Sequence, residues 1–330
     1  MIFQNIDFHN VDEITPVEDG YMLWRIPAAL REQVNEGLRD RVSHFNSGVE
    51  LRFRMKSKGV TLLLRSMPEA EAQVAHIYYG SFPGGWDKCA RMLGTGITRV
   101  HIPAIDNLDV LRRITREQAL PFSPDLVRVV LPYGTCIYAG YEGDVEPPRP
   151  EDLPARTYLA YGSSITHGSL ALDAPHTYAF RIAQMLGTDY LNKGFAGCAH
   201  AEKAMAEYIS ARKDWDFCSV ELGINMLNAY EPDEFERRID AFTAVLAEDP
   251  RPVFATSIFC FNGDNQERGK LYRDIVRKYA QPRLIFLDGL ELLNHPAFIS
   301  QDLVHPTTEG QEQIACRWAA FMKDYLSAHA

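Results

Sequence analysis

Hydrophobic positions are spaced in two ways along this chain, and the change falls near its middle. In the first half they come in short alternating or β-rich runs. These are Val49-Glu-Leu-Arg-Phe-Arg-Met, Val60-Thr-Leu-Leu-Leu-Arg, Val74-Ala-His-Ile-Tyr-Tyr, Ile97-Thr-Arg-Val-His-Ile, Leu126-Val-Arg-Val-Val-Leu and Cys136-Ile-Tyr-Ala. Turns such as Pro83-Gly84-Gly85 separate them. Many short strands at this spacing predict a β-sandwich or jelly roll, with few helices and one candidate near Pro27 to Leu38.

In the second half, apolar runs alternate with helical periodicity. Strands are predicted at Thr157 to Tyr161, Asp189 to Asn192, Phe217 to Leu222, Val253 to Ile258 and Leu284 to Leu287. Helices are predicted at Thr177 to Leu186, Ala201 to Ala211, Pro232 to Ala247, Gln266 to Tyr279 and Thr308 to Leu326. The last places Ile314, Trp318, Phe321, Met322 and Tyr325 on one face. Such alternation predicts a parallel sheet covered on both sides, with ligands outside the carboxyl ends of its strands. Between the halves, Val145-Glu-Pro-Pro-Arg-Pro-Glu-Asp-Leu-Pro154 is too rich in proline for a helix or central strand and predicts an extended connector. The expected organisation is therefore a β-sandwich over residues 1–146, a linker over 147–156 and an α/β domain over 157–330.

Composition narrows the setting. The 330 residues are 46% hydrophobic and 24% charged, the balance of an ordinary globular protein with two domains. A net charge of −10 argues against a nucleic acid partner, and no basic run suggests an anionic membrane surface. The first residues show no signal-peptide pattern, and no stretch approaches the roughly 18 apolar residues of a spanning helix. The six cysteines are scattered without a Cys-x-x-Cys pair, so reduced thiols and a cytoplasmic setting are expected. The sequence carries no signal of oligomeric state.

Candidate chemistry lies at the ends of the predicted strands. Ser164 follows Leu159-Ala-Tyr-Gly-Ser163 and precedes Ile165-Thr-His-Gly168, a small-residue turn that can expose a hydroxyl. It is not a Gly-x-Ser-x-Gly elbow, since Thr166 stands at the second glycine. Gly197 closes Asn192-Lys-Gly-Phe-Ala-Gly, and Asn225 closes Glu221-Leu-Gly-Ile-Asn; each can turn an N–H toward the cleft. Asp302 stands three residues before His305, close enough to orient its ring, and Pro306-Thr307 signal a helix start. Taken singly, the Ser164 segment reads equally as a βα turn, and the other three read more readily as a turning glycine, a capping asparagine, and a capping aspartate with an incidental histidine. Agreement of all four sites at strand ends favours catalysis.

Together these blocks resemble, in content and order, the SGNH hydrolases, also called GDSL esterases and lipases, over about residues 157 to 326. The resemblance implies a flavodoxin-like three-layer α/β/α domain with a five-stranded parallel sheet. It implies a catalytic triad of Ser164, His305 and Asp302. The implied oxyanion hole is the backbone N–H of Ser164 with Gly197 and Asn225. Two positions depart from the family pattern: Ser163 replaces the aspartate before the nucleophile, and Met226 replaces the one after the asparagine. Both weaken a lipase reading. The β-rich half resembles the jelly-roll module that precedes the catalytic domain in some carbohydrate acetylesterases and acyltransferases.

The function expected is a carboxylic ester hydrolase acting through an acyl-serine, most simply on the acetyl group of a carbohydrate or other small polar alcohol. No metal or organic cofactor is implied. An acyltransferase and a carbohydrate-binding protein with an inert hydrolase domain remain open. Trp86, Tyr78 and Tyr79 could line a sugar site, although packing is the plainer reading. His167 and His200 are expected at the rim of the cleft without a catalytic part.

Overall fold

In the run from Gly59 to Ser66, every second side chain points one way. Val60, Leu62 and Leu64 are buried, while Thr61, Leu63 and Arg65 keep contact with water. Ile6–His9 shows the same period of two, whereas Leu126–Val130 is buried on both faces. The computed structural model describes residues 1–67 and 73–329. By contact, the chain falls into two compact units. The first comprises Met1–Pro27, His44–Ala155 and Gly187–Asp189; the second comprises Ala28–Ser43, Arg156–Leu186 and the chain from Tyr190 onward.

The first unit holds two antiparallel sheets. One runs in space as Ile2–Phe3, Ile6–His9, Glu50–Met55, Leu126–Val130, Gln73–Tyr79 and Phe82–Pro83; Val145–Glu146 and Ala90–Leu93 pair with its Glu50–Met55 and Gln73–Tyr79 strands. The other runs as Thr98–Pro103, Gly59–Ser66, Cys136–Glu142, Gly20–Trp24 and Glu13–Val17. Leu51, Phe53, Ile77 and Val129 of the first sheet share one buried cluster with Leu62, Leu64, Val100 and Tyr138 of the second, which makes the pair a β-sandwich. Four strands before residue 25 and a helix at Leu108–Gln118 add to the elements expected from sequence. The helix expected near Pro27 is two short ones, Ala28–Arg31 and Glu36–Asp40.

Tyr78 and Tyr79 are buried, so neither is a platform for sugar, whereas Trp86 is 97% exposed. The proline-rich stretch contains a 3₁₀ turn at Pro150–Asp152, where proline at the first positions costs no hydrogen bond. It is anchored there, because buried Asp152 accepts a hydrogen bond from Arg54 at 2.6 Å. Deeper in the sandwich, Glu50 accepts hydrogen bonds from Arg52 Nε at 2.8 Å and Arg128 Nε at 2.7 Å.

The second unit is built on β1 (Thr157–Gly162), β2 (Asp189–Gly194), β3 (Phe217–Glu221), β4 (Val253–Thr256) and β5 (Ile285–Leu287). They form one parallel sheet in the order β2-β1-β3-β4-β5. Its helices are α1 (Ser164–His167), α2 (Tyr178–Leu186), α3 (Lys203–Ala211), α4 (Pro232–Ala247), α5 (Gln266–Ala280), α6 (Gly289–Leu292) and α7 (Thr308–Ala328). α7 packs on α2, and α4 packs on both α3 and α5. α7 buries Ile314, Trp318 and Met322 of its predicted face, while Phe321 and Tyr325 are half-buried. This is the flavodoxin-like order, in which the chain reverses direction across the sheet between β1 and β3 and ligands gather beyond that crevice. Among the described residues no helix is long and apolar enough to cross a membrane.

Candidate active site

The segment that carries Ser164, the expected nucleophile, begins where β1 ends. Gly162 has no room for a side chain, since a Cβ there would lie 2.6 Å from Glu221 Oε2. Ser163 is the cap of α1, its Oγ accepting the Ile165 N–H at 3.1 Å, and Gly168 closes the single turn at φ +108°. Ser164 thus opens a one-turn helix at the carboxyl edge of the sheet. Gln311 of α7 braces this turn, donating from Nε2 to the Ile165 carbonyl at 3.2 Å and accepting the Tyr178 N–H at 2.9 Å.

Asp302 and His305 lie on the loop before α7. Thr307 caps that helix, its Oγ1 accepting the Gly310 N–H, so Asp302 is free of that duty. Instead, Asp302 Oδ1 accepts the N–H groups of Val304 and His305, each at 2.9 Å, and the Ser300 hydroxyl at 2.7 Å. Its Oδ2 lies 2.7 Å from His305 Nδ1, and His305 Nε2 lies 2.8 Å from Ser164 Oγ. The three side chains therefore form one continuous chain. A carboxylate at Nδ1 selects the tautomer with its proton there, which leaves Nε2 to accept the serine proton. Partial burial works against ionisation of Asp302. It is outweighed by the His305 N–H, the Ser300 hydroxyl, the Val304 N–H and the His305 ring, which hold the carboxyl well below its ordinary range.

Gly197 and Asn225 stand on the loops after β2 and β3. Gly197 adopts φ +72°, a conformation that favours glycine, with open space where a Cβ would be. Asn225 Oδ1 accepts the Ala199 N–H at 3.1 Å, which joins the two loops and fixes which end of the amide is the donor. The loop carrying Gly197 is tied down further. Asn192 donates to the Thr166 carbonyl at 2.9 Å, and Phe195 N–H donates to the Gly162 carbonyl at 2.8 Å. His167 is buried rather than at the rim, and its Nδ1 accepts the Ala196 N–H at 3.3 Å. His200 Nε2 lies 3.2 Å from the Gly197 carbonyl and its Nδ1 lies 3.1 Å from the Tyr230 hydroxyl.

Two contributors escape a reading of the sequence. Asn35 donates from Nδ2 to the Cys198 carbonyl at 2.9 Å and to Glu202 at 2.6 Å, so it holds the Gly197 loop from a position 163 residues upstream. Glu221 ends β3 buried against the turn that carries Ser164. For Glu221 the available signal is a carboxylate closing an otherwise uncharged strand; for Asn35 there is none.

Residues 160–313 match the family model described as GDSL-like lipase/acylhydrolase. No curated protein matches the chain in sequence. Among solved structures, the chain is similar to a salicylyl-acyltransferase, SsfX3, from a tetracycline biosynthetic pathway, with a TM-score of 0.74 at 17% identity over 96% of this chain and 95% of that one. It is also similar to a family two carbohydrate esterase from Clostridium thermocellum in complex with cellohexaose, with a TM-score of 0.60 at 13% identity over 98% and 99%. An acetyl xylan esterase, Est2A, from the rumen bacterium Butyrivibrio proteoclasticus gives 0.54 at 13% over 86% and 91%. At these identities the likeness is one of fold, and it runs through both halves of the chain. Residues 160–313 thus match the GDSL-like lipase/acylhydrolase family model, and the likeness of fold to solved structures extends beyond them over nearly the whole chain.

Proposed function

We propose that the protein is a serine esterase that removes a short acyl group, acetyl first, from a polar alcohol such as a carbohydrate. The observation that carries this reading is the hydrogen-bonded chain from Asp302 through His305 to Ser164, at 2.7 and 2.8 Å. As Ser164 Oγ adds to the ester carbonyl carbon, His305 Nε2 takes its proton, and Asp302 stabilises the imidazolium. The N–H groups of Ser164 and Gly197 and the Asn225 side-chain amide receive the negative charge on the carbonyl oxygen. Collapse breaks the bond to the alcohol, whose oxygen takes the proton from His305. Water, deprotonated by the same nitrogen, then adds to the acyl carbon; the bond to Ser164 Oγ breaks, and that oxygen takes the proton back from His305.

The acetyl and carbohydrate assignment draws support from the acetyl xylan esterase and the cellohexaose-bound esterase of like fold. All six cysteines are free thiols, which supports a reducing compartment, and we assign the protein to the cytoplasm. Transfer of the acyl group to an alcohol other than water is the second reading, favoured by the full-length fold similarity to an acyltransferase.

An ester panel from acetylated sugars to long-chain acyl esters, run with and without an acceptor alcohol, tests substrate and acceptor together. The protein is expected to turn over short-chain esters, with the Ser164→Ala variant folded and at least about 10⁴-fold slower. A protein that neither turns over aryl acetates nor is labelled by a fluorophosphonate would sink the esterase reading.

A further inference from the structure

β3 carries uncharged side chains from Phe217 to Val220 and then ends on Glu221, a carboxylate only 1% exposed. Burial of an ionisable group is costly, so it persists where its contacts repay the cost. Glu221 Oε2 accepts the Ser163 N–H at 2.6 Å and the Thr166 hydroxyl at 3.1 Å. Its Oε1 is buried with no hydrogen-bond partner among the described residues. The two residues held by Oε2 flank Ser164, one capping α1 and the other within its single turn. Thr166 Oγ1 lies in turn 2.6 Å from the Tyr178 hydroxyl of α2, so the clamp is tied to a second element.

Glu221 is in turn influenced electrostatically by the site. Burial raises its pKa above the ordinary carboxylate value, against the opposing pull of hydrogen bonds from Ser163 and Thr166 and of charge on His305.

We propose that Glu221 is a positioning residue for the nucleophile: from the carboxyl end of β3 it clamps the Ser163 N–H and the Thr166 hydroxyl, and so sets where Ser164 points its Oγ and its N–H. The inference rests on Ser164 being the nucleophile, as proposed above. A short helix held by its own hydrogen bonds alone is soft, and a displacement of about 1 Å at a reacting atom costs roughly 100-fold in rate. A neutral acceptor of the same shape can serve as the clamp, whereas an apolar side chain cannot.

The test compares Glu221→Gln and Glu221→Leu with the wild type in the full-length protein, by steady-state kinetics on an aryl acetate, by fluorophosphonate labelling rate and by circular dichroism. Glu221→Leu is expected to lose about 100-fold in kcat and in labelling rate with KM within about threefold, and Glu221→Gln to recover to within about tenfold of wild type. A folded Glu221→Leu protein with near-wild-type kcat overturns the inference, as does Glu221→Gln failing as badly as Glu221→Leu. If neither variant folds, Thr166→Val removes one clamped group and leaves the carboxylate. It is then expected to lower kcat severalfold at constant KM, and an unchanged kcat overturns the proposal. A wild-type protein that is neither active nor labelled refutes the serine reading itself, and the inference with it.

Discussion

The Asn225 amide has its two ends committed differently. Oδ1 accepts the Ala199 N–H, which leaves Nδ2 as the end that the proposed mechanism would use at the oxyanion. Truncation to Asn225→Ala is therefore expected to lower kcat by about 10²–10³-fold while KM stays within a few-fold, because the charge appears only in the transition state. Kinetics on a short-chain aryl ester checks this, and an equal rise in KM would point to ground-state binding instead. Ser164, Gly197 and Asn225 stand out in the sequence because each lies within a few residues of a strand end near a glycine, and Asp302 and His305 because they are spaced three apart before a helix start. Glu221 is not legible. It belongs to the strand itself, and a carboxylate at a strand end usually faces water; only the approach of β1 at Gly162 closes over it. Asn35 is farther from view, since nothing near it in sequence points to Cys198 or Glu202.

Pairing between elements explains the charged centre of the sandwich. In the register of Glu50–Met55 with Leu126–Val130, Arg52 lies directly opposite Arg128, two guanidinium groups that repel at that separation. Glu50 accepts hydrogen bonds from both and makes the pairing tolerable. Burial works against its ionisation, but Arg128 and Arg52 overcome this and bring its pKa down to about 2 from an ordinary 4.5. A lowered acid pKa means that the stabilisation is fully present above about pH 4.5 and is lost as pH falls toward about 2. Glu50→Gln is expected to cost about 3–5 kcal/mol near neutrality by leaving two buried cations short of a counter-charge. Urea unfolding should show the gap to wild type narrowing between about pH 4.5 and pH 2. A gap that stays constant across that window would contradict the account.

The same scale shows why some elements escape sequence patterning. Ile2–Phe3 and Ile6–His9 are joined by Gln4 and Asn5, both in left-handed conformations, and such short arms carry too few residues to display a period. Helix Leu108–Gln118 has no buried residue, so its pattern answers to no core. The five long helices of the α/β half lie where their periodicity predicts because each buries a stripe.

For the molecule as a whole, the order of the chain and the grouping of its contacts do not coincide. Ala28–Ser43 is embedded in the sequence of the sandwich but belongs by contact to the α/β unit, where Asn35 grips the Gly197 loop. A fragment beginning at residue 157 lacks that segment. It is expected to melt at a lower temperature than the full chain and to lose at least about tenfold in kcat, as the Gly197 loop loosens. Calorimetry and ester kinetics on the fragment check this, with full-length Asn35→Ala separating loss of the grip from loss of the whole sandwich. A fragment as active as the full chain would show the segment to be dispensable.

The distance from Asn35 to its partners also sets a delay during synthesis. Cys198 is made 163 residues after Asn35, which at about 5–20 residues per second is roughly 10–30 s. Through that interval Leu30 and Leu38, both buried in the finished protein, have emerged before the unit that covers them is complete. The nascent chain thus carries Leu30 and Leu38 uncovered until the α/β unit that buries them has been made.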